Sequence, residues 1–267
     1  MIRRSRRRRW HDYKDHDCLR VGSYNVHGCR GTDRCTDAAR IARVINEMGC
    51  DTVGLQEVNS RAGEGLELPQ LEALQQATGM AAIPGLTVIH HDGHYGNALL
   101  TRRKVLAVQR YDLSYRAYEP RGALDVELDV DGVAVRVVVT HLGLRPVERR
   151  FQVKQMLRLL HDIPKEQPVV VLGDINEWLP LGRPLRWLHG ILGHSPAERS
   201  FPVWLPVFAL DRVWVRPRSS LLTFGVYRSA AARIASDHYP VRAVVNVHQH
   251  PRMVPHARPV SAGPPCI

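Results

Sequence analysis

Hydrophobic residues follow two periodicities along this chain. The segment 19–25 is strand-like, and the short segments 51–57 and 168–174, each with an apolar centre, are typical of buried strands. At 36–49 and 147–160 the apolar residues recur every three or four positions, which predicts amphipathic helices. For the first helix we expect Thr36 as the N-cap and Gly49 as the C-cap. The chain therefore opens as strand, helix, strand.

More strands are predicted further along the chain, together with a short helix that ends at Gly79. The strand-like segments are 86–90, 97–101, 104–109, 123–130, 133–141, 210–215 and 239–247. The pair Asp131-Gly132 between two of them is a strong signal for a hairpin turn. We expect a loop-rich region before 210–215, and a solvated basic face on the helix at 147–160, formed by Arg149, Arg150, Lys154 and Arg158. The predicted fold is a mixed α/β sandwich in a single domain, 18–247.

Composition is ordinary for a globular protein, because 44% of the 267 residues are hydrophobic and 24% are charged. No apolar run approaches the roughly 18 to 20 residues that a membrane-spanning helix needs. Only 6% of the residues are aromatic, so the composition does not indicate an aromatic surface on which the bases of single-stranded nucleic acid would stack.

The formal net charge of +11 is unevenly distributed. Residues 1–17 carry six Arg and one Lys against three Asp, and we expect them to form a disordered basic arm. Such an arm attracts nucleic acid and anionic lipid headgroups alike, so a peripheral membrane contact is one possible role. The Pro-rich tail at 248–267 is also expected to be disordered.

The compartment and oligomeric state are predicted from weaker signals. The basic arm is not followed by an apolar segment, so it does not read as a secretory signal. Five cysteines, an odd number without metal-finger spacing, then favour reduced thiols in the cytoplasm. We expect a monomer.

Polar residues stand at the ends of six predicted strands. Asn25, Glu57, His141 and Asp174 end their strands, the last followed by Asn176, whereas Asp211 begins a strand and Asp237 and His238 directly precede one. Turn preferences explain any one of these residues. Repetition behind six apolar runs instead favours a shared site at one end of the sandwich.

The chemistry of this set suits a hard divalent cation and a phosphate group. Glu57, Asp174 and Asp237 offer carboxylate oxygens, and Asn25 and Asn176 offer amide oxygens, which Mg²⁺ prefers and Mn²⁺ also accepts. A zinc site would need clustered Cys and His at ligand spacing. The histidines are then candidates for general acid/base catalysis or transition-state stabilisation, with Asp211 as the residue that fixes the tautomer of His238.

Six motifs in this order resemble those of the endonuclease/exonuclease/phosphatase superfamily, and especially its small bacterial members. They are S-Y-N-V-H (23–27), L-Q-E-V (55–58), V-T-H-L (139–142), L-G-D-I-N (172–176), L-D-R-V (210–213) and S-D-H-Y-P-V (236–241). The resemblance spans residues 19–246. It implies a deoxyribonuclease I-like fold, in which two packed mixed β-sheets are flanked by helices to form four layers.

The resemblance also implies a role for each residue. Glu57 would be the main metal ligand, assisted by Asn25 and Asp237. Asp174 would orient or deprotonate the attacking water, and Asn176 would hold the scissile phosphate. His238, oriented by Asp211, would contact the phosphate, and His141 would donate to the phosphate or the leaving oxygen. Ser23, Tyr24 and His27 are assigned structural roles.

Two further residues are candidate substrate contacts. Asn97 lies in a segment that resembles one bordering the site in this superfamily, although a structural amide in a turn is the alternative. Arg121 is a candidate phosphate clamp, with an ordinary surface salt bridge as the alternative.

The predicted activity is Mg²⁺-dependent phosphodiester hydrolysis, with nucleic acid as the first candidate substrate. Phospholipid or inositol phosphate at a membrane surface is the alternative substrate, and a catalytically silent phosphate-binding module is the alternative function. The apolar segment with Phe201, Trp204 and Phe208 could accept a base, contact an acyl chain, or belong to the core.

Overall fold

This computed structural model describes residue 10 and residues 18–59, 69–90 and 93–248 of the chain. Most of the basic arm at 1–17 and of the tail at 248–267 therefore lies outside the described residues. Trp10 packs under the guanidinium of Arg242, with 4.1 Å between the Arg Cζ and the ring centre.

Eleven strands and five helices make up the described fold. The strands are β1 (Cys18–Asn25), β2 (Thr52–Asn59), β3 (Ala81–His90), β4 (Gly93–Thr101), β5 (Lys104–Asp112), β6 (Gly122–Val130), β7 (Val133–His141), β8 (Val169–Asp174), β9 (Asp211–Arg216), β10 (Leu221–Val226) and β11 (Val241–Asn246). The helices are α1 (Ala38–Met48), α2 (Gln70–Thr78), α3 (Pro146–Asp162), α4 (Arg183–Leu192) and α5 (Ala232–Ala235).

The strands form two mixed sheets that pack face to face. One sheet has six strands in the order β10-β11-β1-β2-β4-β3, and the other has five in the order β5-β6-β7-β8-β9. A core rich in Val and Leu fills the space between them, including Val21, Leu99, Val137 and Leu172. Helices α1 and α2 cover the outer face of the first sheet, and α3 and α4 cover that of the second. The predicted four-layer sandwich is confirmed.

Several local predictions are confirmed and others are corrected. Gly49 ends α1 in the left-handed conformation, and Asp131 and Gly132 form the turn of the β6–β7 hairpin. The N-cap of α1, however, is Asp37 and not Thr36. The Asp37 Oδ1 accepts from the backbone N–H of Arg40 at 3.0 Å, whereas Thr36 pairs with Arg30 in a short bridge.

Two elements and one surface differ from the sequence-based expectation. Helix α4 lies in the region expected to be loops, where Leu185, Leu188 and Leu192 bury a single helical face. Strand β10 is an edge strand that is only half-buried and shows no alternation, so its pattern gives little signal. The basic face of α3 is not wholly solvated, because Arg149 is buried.

Strand direction gathers the polar strand ends at one end of the sandwich. β1 runs parallel to β2, and β7 runs parallel to β8, while β9 and β11 are antiparallel to their neighbours. The carboxyl ends of β1, β2, β7 and β8 therefore meet the amino ends of β9 and β11. Cys18 and Asn246 pair at the opposite end, roughly 20 Å away at about 3.3 Å per strand residue. Within the described part of the chain, no helix combines the length and apolar character that a bilayer span requires.

Candidate active site

Asp174 is the centre of the polar cluster at this end. Its Oδ2 accepts from Asn25 Nδ2 at 3.1 Å and lies 3.7 Å from the Nε2 atoms of both His141 and His238. Its Oδ1 accepts from the backbone N–H of Asn176 at 2.9 Å. Four residues, from the ends of β1 and β7, the segment after β8 and the segment before β11, thus converge on one carboxylate.

The backbone before Asp174 allows this convergence only because residue 173 is glycine. Gly173 has φ +149°, and a Cβ there would lie 1.8 Å from the carbonyl oxygen of Thr140 on β7. The close contact between β7 and β8 places His141 directly beside Asp174 in the parallel register. Burial raises the pKa of Asp174 to about 6, although the nearby His238 opposes this increase. The carboxyl is therefore a base suited to neutral pH.

Glu57 enters the site from a β-bulge. The pairing of β2 with β4 shifts between Leu55 and Val58, and Glu57 has φ +59°. This conformation is unusual for a residue with a side chain and turns the carboxylate towards the site. Glu57 Oε1 accepts from Asn25 Nδ2 at 2.8 Å and lies 3.9 Å from His141 Nε2.

His238 is buried between two carboxylates and below an aromatic ring. Its Nδ1 lies 2.9 Å from Asp211 Oδ2, which also accepts from Ser200 Oγ at 2.5 Å. The ring of Phe201 packs against the imidazole with 4.5 Å between ring centres. Burial alone would lower the pKa, but the charges of Asp211 and Asp174 outweigh it and raise the pKa of His238 to about 10. His238 is thus an imidazolium at neutral pH.

His141 has the opposite protonation state. Burial, with the nearby charges of Arg121 and His238, holds the pKa of His141 well below 6.5. Its Nε2 lies 3.0 Å from Asn176 Nδ2, and its Nδ1 lies 3.4 Å from Arg121 Nη1. A neutral imidazole accepts at only one nitrogen, and the shorter contact is the one with Asn176. Because Asn176 Nδ2 also donates to Leu142 O at 2.9 Å, both ring and amide are held in place.

The two predicted substrate contacts lie along one edge of the site. Arg121 is buried and forms a two-point ion pair with Glu119, at 2.9 and 3.0 Å. Asn97 is buried too, and its Nδ2 donates to the carbonyl of Gly122 at 3.0 Å. Burial and the charges of Glu57 and Glu119 raise the pKa of Tyr95, which places its ring in this same group.

Asp237 lies at the edge of the site, where it lines a cleft of about 290 Å³. Its Oδ1 accepts from Ser236 Oγ at 3.3 Å and lies 3.8 Å from His27 Nδ1. Arg30 and Arg34 also line the cleft. The chain thus brings His27, assigned a structural role from the sequence, to a carboxylate predicted to serve the metal.

The donor set fits a divalent cation bound mainly by water and substrate oxygens. Among the described residues, no group of three or more His, Cys, Asp or Glu is arranged to hold a metal ion. Glu57 Oε1 and Asp174 Oδ2 nevertheless converge on the single donor atom Asn25 Nδ2. Mg²⁺ commonly uses one or two such carboxylates. In the present orientation Asn25 Oδ1 accepts from His27 N at 3.0 Å, so coordination through this oxygen requires the amide to turn.

Four contributors to the site lack a clear signal in the sequence. Glu119 holds Arg121, Ser200 holds Asp211, Ser236 donates to Asn25 O at 2.8 Å, and Tyr95 lies near Glu57. None of these residues follows an apolar strand run. Two of them do lie in segments noted from the sequence: Ser236 begins the S-D-H-Y-P-V motif, and Tyr95 lies two residues before Asn97, in the segment that resembles one bordering the site in the superfamily.

Comparison with known proteins supports the resemblance to the family. Residues 22–238 match the model of the Endonuclease/Exonuclease/phosphatase family. The uncharacterized protein YbhP of Escherichia coli K12 is 30% identical over 171 residues, which are 61% of this chain and 67% of YbhP.

Two solved structures share this fold. The mannosyl-6-phosphatase Bt3783 of Bacteroides thetaiotaomicron is 18% identical, with a TM-score of 0.67 over 85% of this chain and 99% of its own. D. rerio TDP2 in complex with a single-strand DNA product is also 18% identical, with a TM-score of 0.66 over 86% and 99% of the two chains. At this identity the likeness concerns the fold alone.

The chain belongs to the endonuclease/exonuclease/phosphatase family. It is a phosphoesterase, a hydrolase that acts on phosphoric ester bonds. Enzymes of this family generally use divalent metals.

Proposed function

We propose that this protein is a Mg²⁺-dependent phosphodiesterase in which a water molecule attacks phosphorus in line. The observation that supports this most directly is the position of Asp174. Its carboxylate lies 3.7 Å from one charged and one neutral imidazole, so a base and a cationic group face the same small volume.

The charges around the site favour a diester over a monoester. Besides Asp174, the side chains of Glu57, Asp211 and Asp237 lie at this end, whereas the guanidinium of Arg121 is already paired with Glu119. A phosphodiester carries one negative charge and a monoester close to two at neutral pH. The less charged substrate therefore meets less repulsion here.

Glu57 would hold the cation, with Asn25 after its amide turns and Asp237 at the edge of the site. Bound Mg²⁺ would neutralise charge on the phosphate oxygens and help to position them. Mn²⁺ is the alternative ion, because it accepts the same oxygen ligands.

The side chains of the protein perform the remaining steps. Asp174 orients the water and accepts its proton, as its pKa of about 6 allows above that pH. The imidazolium of His238 stabilises the charge that accumulates on the phosphate, and Asp211 keeps it protonated. Asn176 holds the phosphate with its amide. His141 donates to the phosphate or leaving oxygen in the tautomer that carries its proton on Nε2, once this nitrogen exchanges the contact with Asn176 for the substrate.

Nucleic acid is the substrate class suggested first by the sequence, and the net charge of +11 supports it. Its test is hydrolysis of single- and double-stranded DNA over a range of salt concentrations. Cleavage that weakens steeply with salt would support contacts to several phosphates along a strand.

Hydrolysis of bis(p-nitrophenyl) phosphate tests the reaction itself, with Mg²⁺, with Mn²⁺ and with EDTA. We expect metal-dependent hydrolysis in the wild type and its loss in Asp174→Asn and His238→Ala. Glu57→Gln should instead raise the Mg²⁺ concentration needed for half-maximal rate.

Asp162→Asn is the matched control for charge removal, because Asp162 is exposed at the end of α3. Hydrolysis that persists unchanged in Asp174→Asn and His238→Ala would assign the activity to another site or a contaminant. Absence of metal-dependent hydrolysis in the wild type, on this diester and on DNA, would contradict the proposal.

A further inference from the structure

Exposed hydrophobic side chains are concentrated beside the active site. All but two of the large exposed hydrophobic residues among the described residues lie on three loops, 142–147, 177–182 and 201–208. We call this set the apolar rim: Leu144, Val147, Trp178, Leu179, Leu181, Trp204, Leu205, Val207 and Phe208. Leu181 is 82% exposed and Trp204 is 73% exposed. Contiguous exposure on this scale commonly marks a surface that binds something.

The rim is one continuous surface. The ring of Trp178 packs edge-on against Phe208 at 4.8 Å and against Phe201 at 5.7 Å between ring centres. Phe201 and Phe208 pair across their own loop in a β-bridge. The aromatic contacts therefore join loop 177–182 to loop 201–208.

The buried Arg149 joins the third loop to the other two. Its Nε donates to Glu177 Oε2 at 3.2 Å, and its Nη1 donates to the carbonyls of Gly143 and Leu144 at 3.2 and 2.6 Å. This residue, expected from the sequence to be solvated, instead fixes two loops of the rim against each other. The apolar side chains are consequently presented on a pre-organised support.

The rim borders the reacting groups directly. Loop 142–147 begins one residue after His141, and Trp178 lies two residues after Asn176. Phe201, under the rim, packs on the ring of His238. A molecule that covers the rim would therefore lie next to the groups proposed to bind phosphate.

Charge at the rim is positive. Arg145, Arg183 and Arg199 are exposed, one within or beside each loop. The carboxylate of Glu177 is buried and paired with Arg149, and the three loops themselves carry no other acid. Beside them, the exposed Glu198 accepts from the backbone N–H of Val226 at 3.0 Å, so three exposed arginines face one exposed carboxylate. An apolar surface flanked by exposed arginines is complementary to an anionic lipid bilayer.

Most of the rim is aliphatic, and this separates lipid from nucleic acid as its occupant. Leucine and valine side chains have no π-face on which a base could stack. In hydrocarbon, the same side chains gain about 25 cal/mol for each Å² removed from water. Tryptophan is favoured at the bilayer interface, where its ring is apolar and its N–H reaches water.

We propose that the apolar rim inserts into the surface of an anionic lipid bilayer, and that the site hydrolyses the phosphodiester of a lipid headgroup. The substrate part of this inference rests on the proposed phosphodiesterase function. The docking part does not, because it concerns binding alone.

The test combines binding and catalysis on vesicles of phosphatidylcholine with and without phosphatidylglycerol. Binding is measured by co-sedimentation in EDTA, so that no hydrolysis is required. The rim variant Leu179→Gln/Leu181→Gln/Trp204→Gln changes only exposed residues. The matched control is Ile191→Gln/Ile234→Gln, because these two side chains are 45% and 44% exposed but lie outside the rim.

We expect the wild type and the control to bind phosphatidylglycerol vesicles, and the rim variant to bind about tenfold or more weakly. Quenching of tryptophan fluorescence by brominated acyl chains should be strong in the wild type and should decrease in Trp204→Phe, where Trp178 is the tryptophan that remains in the rim. With Mg²⁺, release of headgroup from phosphatidylglycerol should fall in the rim variant, whereas hydrolysis of bis(p-nitrophenyl) phosphate should be unchanged.

Several results would overturn the inference. Wild-type protein that fails to bind anionic vesicles, or a rim variant that binds as well as wild type, would remove the docking surface. The second result would also point to residues 1–17, and a variant without residues 1–9 tests that. Loss of DNA hydrolysis rather than vesicle binding in the rim variant would make the rim a nucleic-acid surface. Vesicle binding without hydrolysis of any diester would contradict the proposed function and the substrate part that rests on it, and would support the docking part. Hydrolysis of bis(p-nitrophenyl) phosphate without hydrolysis of phosphatidylglycerol would contradict the substrate part alone.

Discussion

His141 and His238 face the same carboxylate at the same distance, yet they have opposite charge states. Both are buried, and both Nε2 atoms lie 3.7 Å from Asp174 Oδ2. Beyond this shared partner, His141 meets the guanidinium of Arg121 at Nδ1, and His238 meets the carboxylate of Asp211. The partner of Nδ1 in each ring thus decides whether the imidazole is charged, and so whether the Nε2 that faces Asp174 carries a proton it can give up.

This difference explains how one small site can supply both a base and a cation. If both imidazoles were charged, Asp174 would be held as a fully neutralised carboxylate and its basicity would fall. If both were neutral, no imidazolium would oppose the charge that develops on phosphate. The pairing with Arg121 on one side and Asp211 on the other separates the two roles.

Removing the shared carboxylate should have the largest effect. We expect Asp174→Asn, which keeps the shape, to lower kcat for bis(p-nitrophenyl) phosphate by about 10²–10⁴-fold, because the acceptor of the proton is lost. Steady-state kinetics with saturating Mg²⁺ measures this. Asp162→Asn should match wild type, and a comparable loss in that control would indicate a general effect of charge.

Asp211→Asn should leave both histidines neutral near pH 7. We expect kcat near neutral pH to fall about 10²-fold. NMR titration of the metal-free protein should show that the pKa of His238 falls from about 10 towards its ordinary value of 6.5. The alkaline limb of the pH–rate profile should shift to lower pH by the same change in pKa. An unchanged pKa of His238 in this variant would refute the assigned pairing.

The same pairing makes stability depend on pH. Since the pKa of His238 is raised on folding, its contribution to the free energy of unfolding is fully present below pH 6.5 and is lost as the pH rises to about 10. Urea unfolding at a series of pH values should show this decrease in wild type. In Asp211→Asn the decrease should be smaller over the same pH window.

Arg121→Gln alters the other histidine and should have a smaller effect on rate. With the guanidinium gone, the pKa of His141 should rise towards 6.5, although burial still holds it down. If Arg121 contacts the substrate phosphate, KM should rise about tenfold, as expected for the loss of one hydrogen bond to a charged group. A pKa of His141 that stays unchanged would show that burial alone keeps it neutral.

Ser200→Ala should have the smallest effect. It removes the hydroxyl that donates to Asp211 Oδ2, and we expect the free energy of unfolding to fall by about 1.5 kcal/mol. Because His238 still donates to Asp211, the rate should change little. Urea denaturation measures the loss, and Ser219→Ala, at an exposed position, is the control. Equal stability of the two variants would mean that the Ser200 bond contributes nothing.

The sequence predicts most strands and the end of the sandwich that carries the site. The apolar run at 133–141 matches β7 in both bounds, and the polar residues that follow such runs do converge. The pairing of Asp211 with His238 is predicted from the sequence, but the protonation states are not, because they also depend on burial and on the contact of Arg121 with His141, 20 residues away. The left-handed backbone of Glu57 was equally hidden, since only the bulge against β4 imposes it.

The position of the strand ends has a practical consequence. Cys18 and Asn246 pair at the end of the sandwich farthest from Asp174. A linker attached beyond either residue would anchor the molecule at the end opposite the active site and leave the active site directed away from the support. Immobilised on a sensor surface in this way, the protein could meet vesicles or nucleic acid head-on, and the same orientation would suit a fusion partner on either side of the domain.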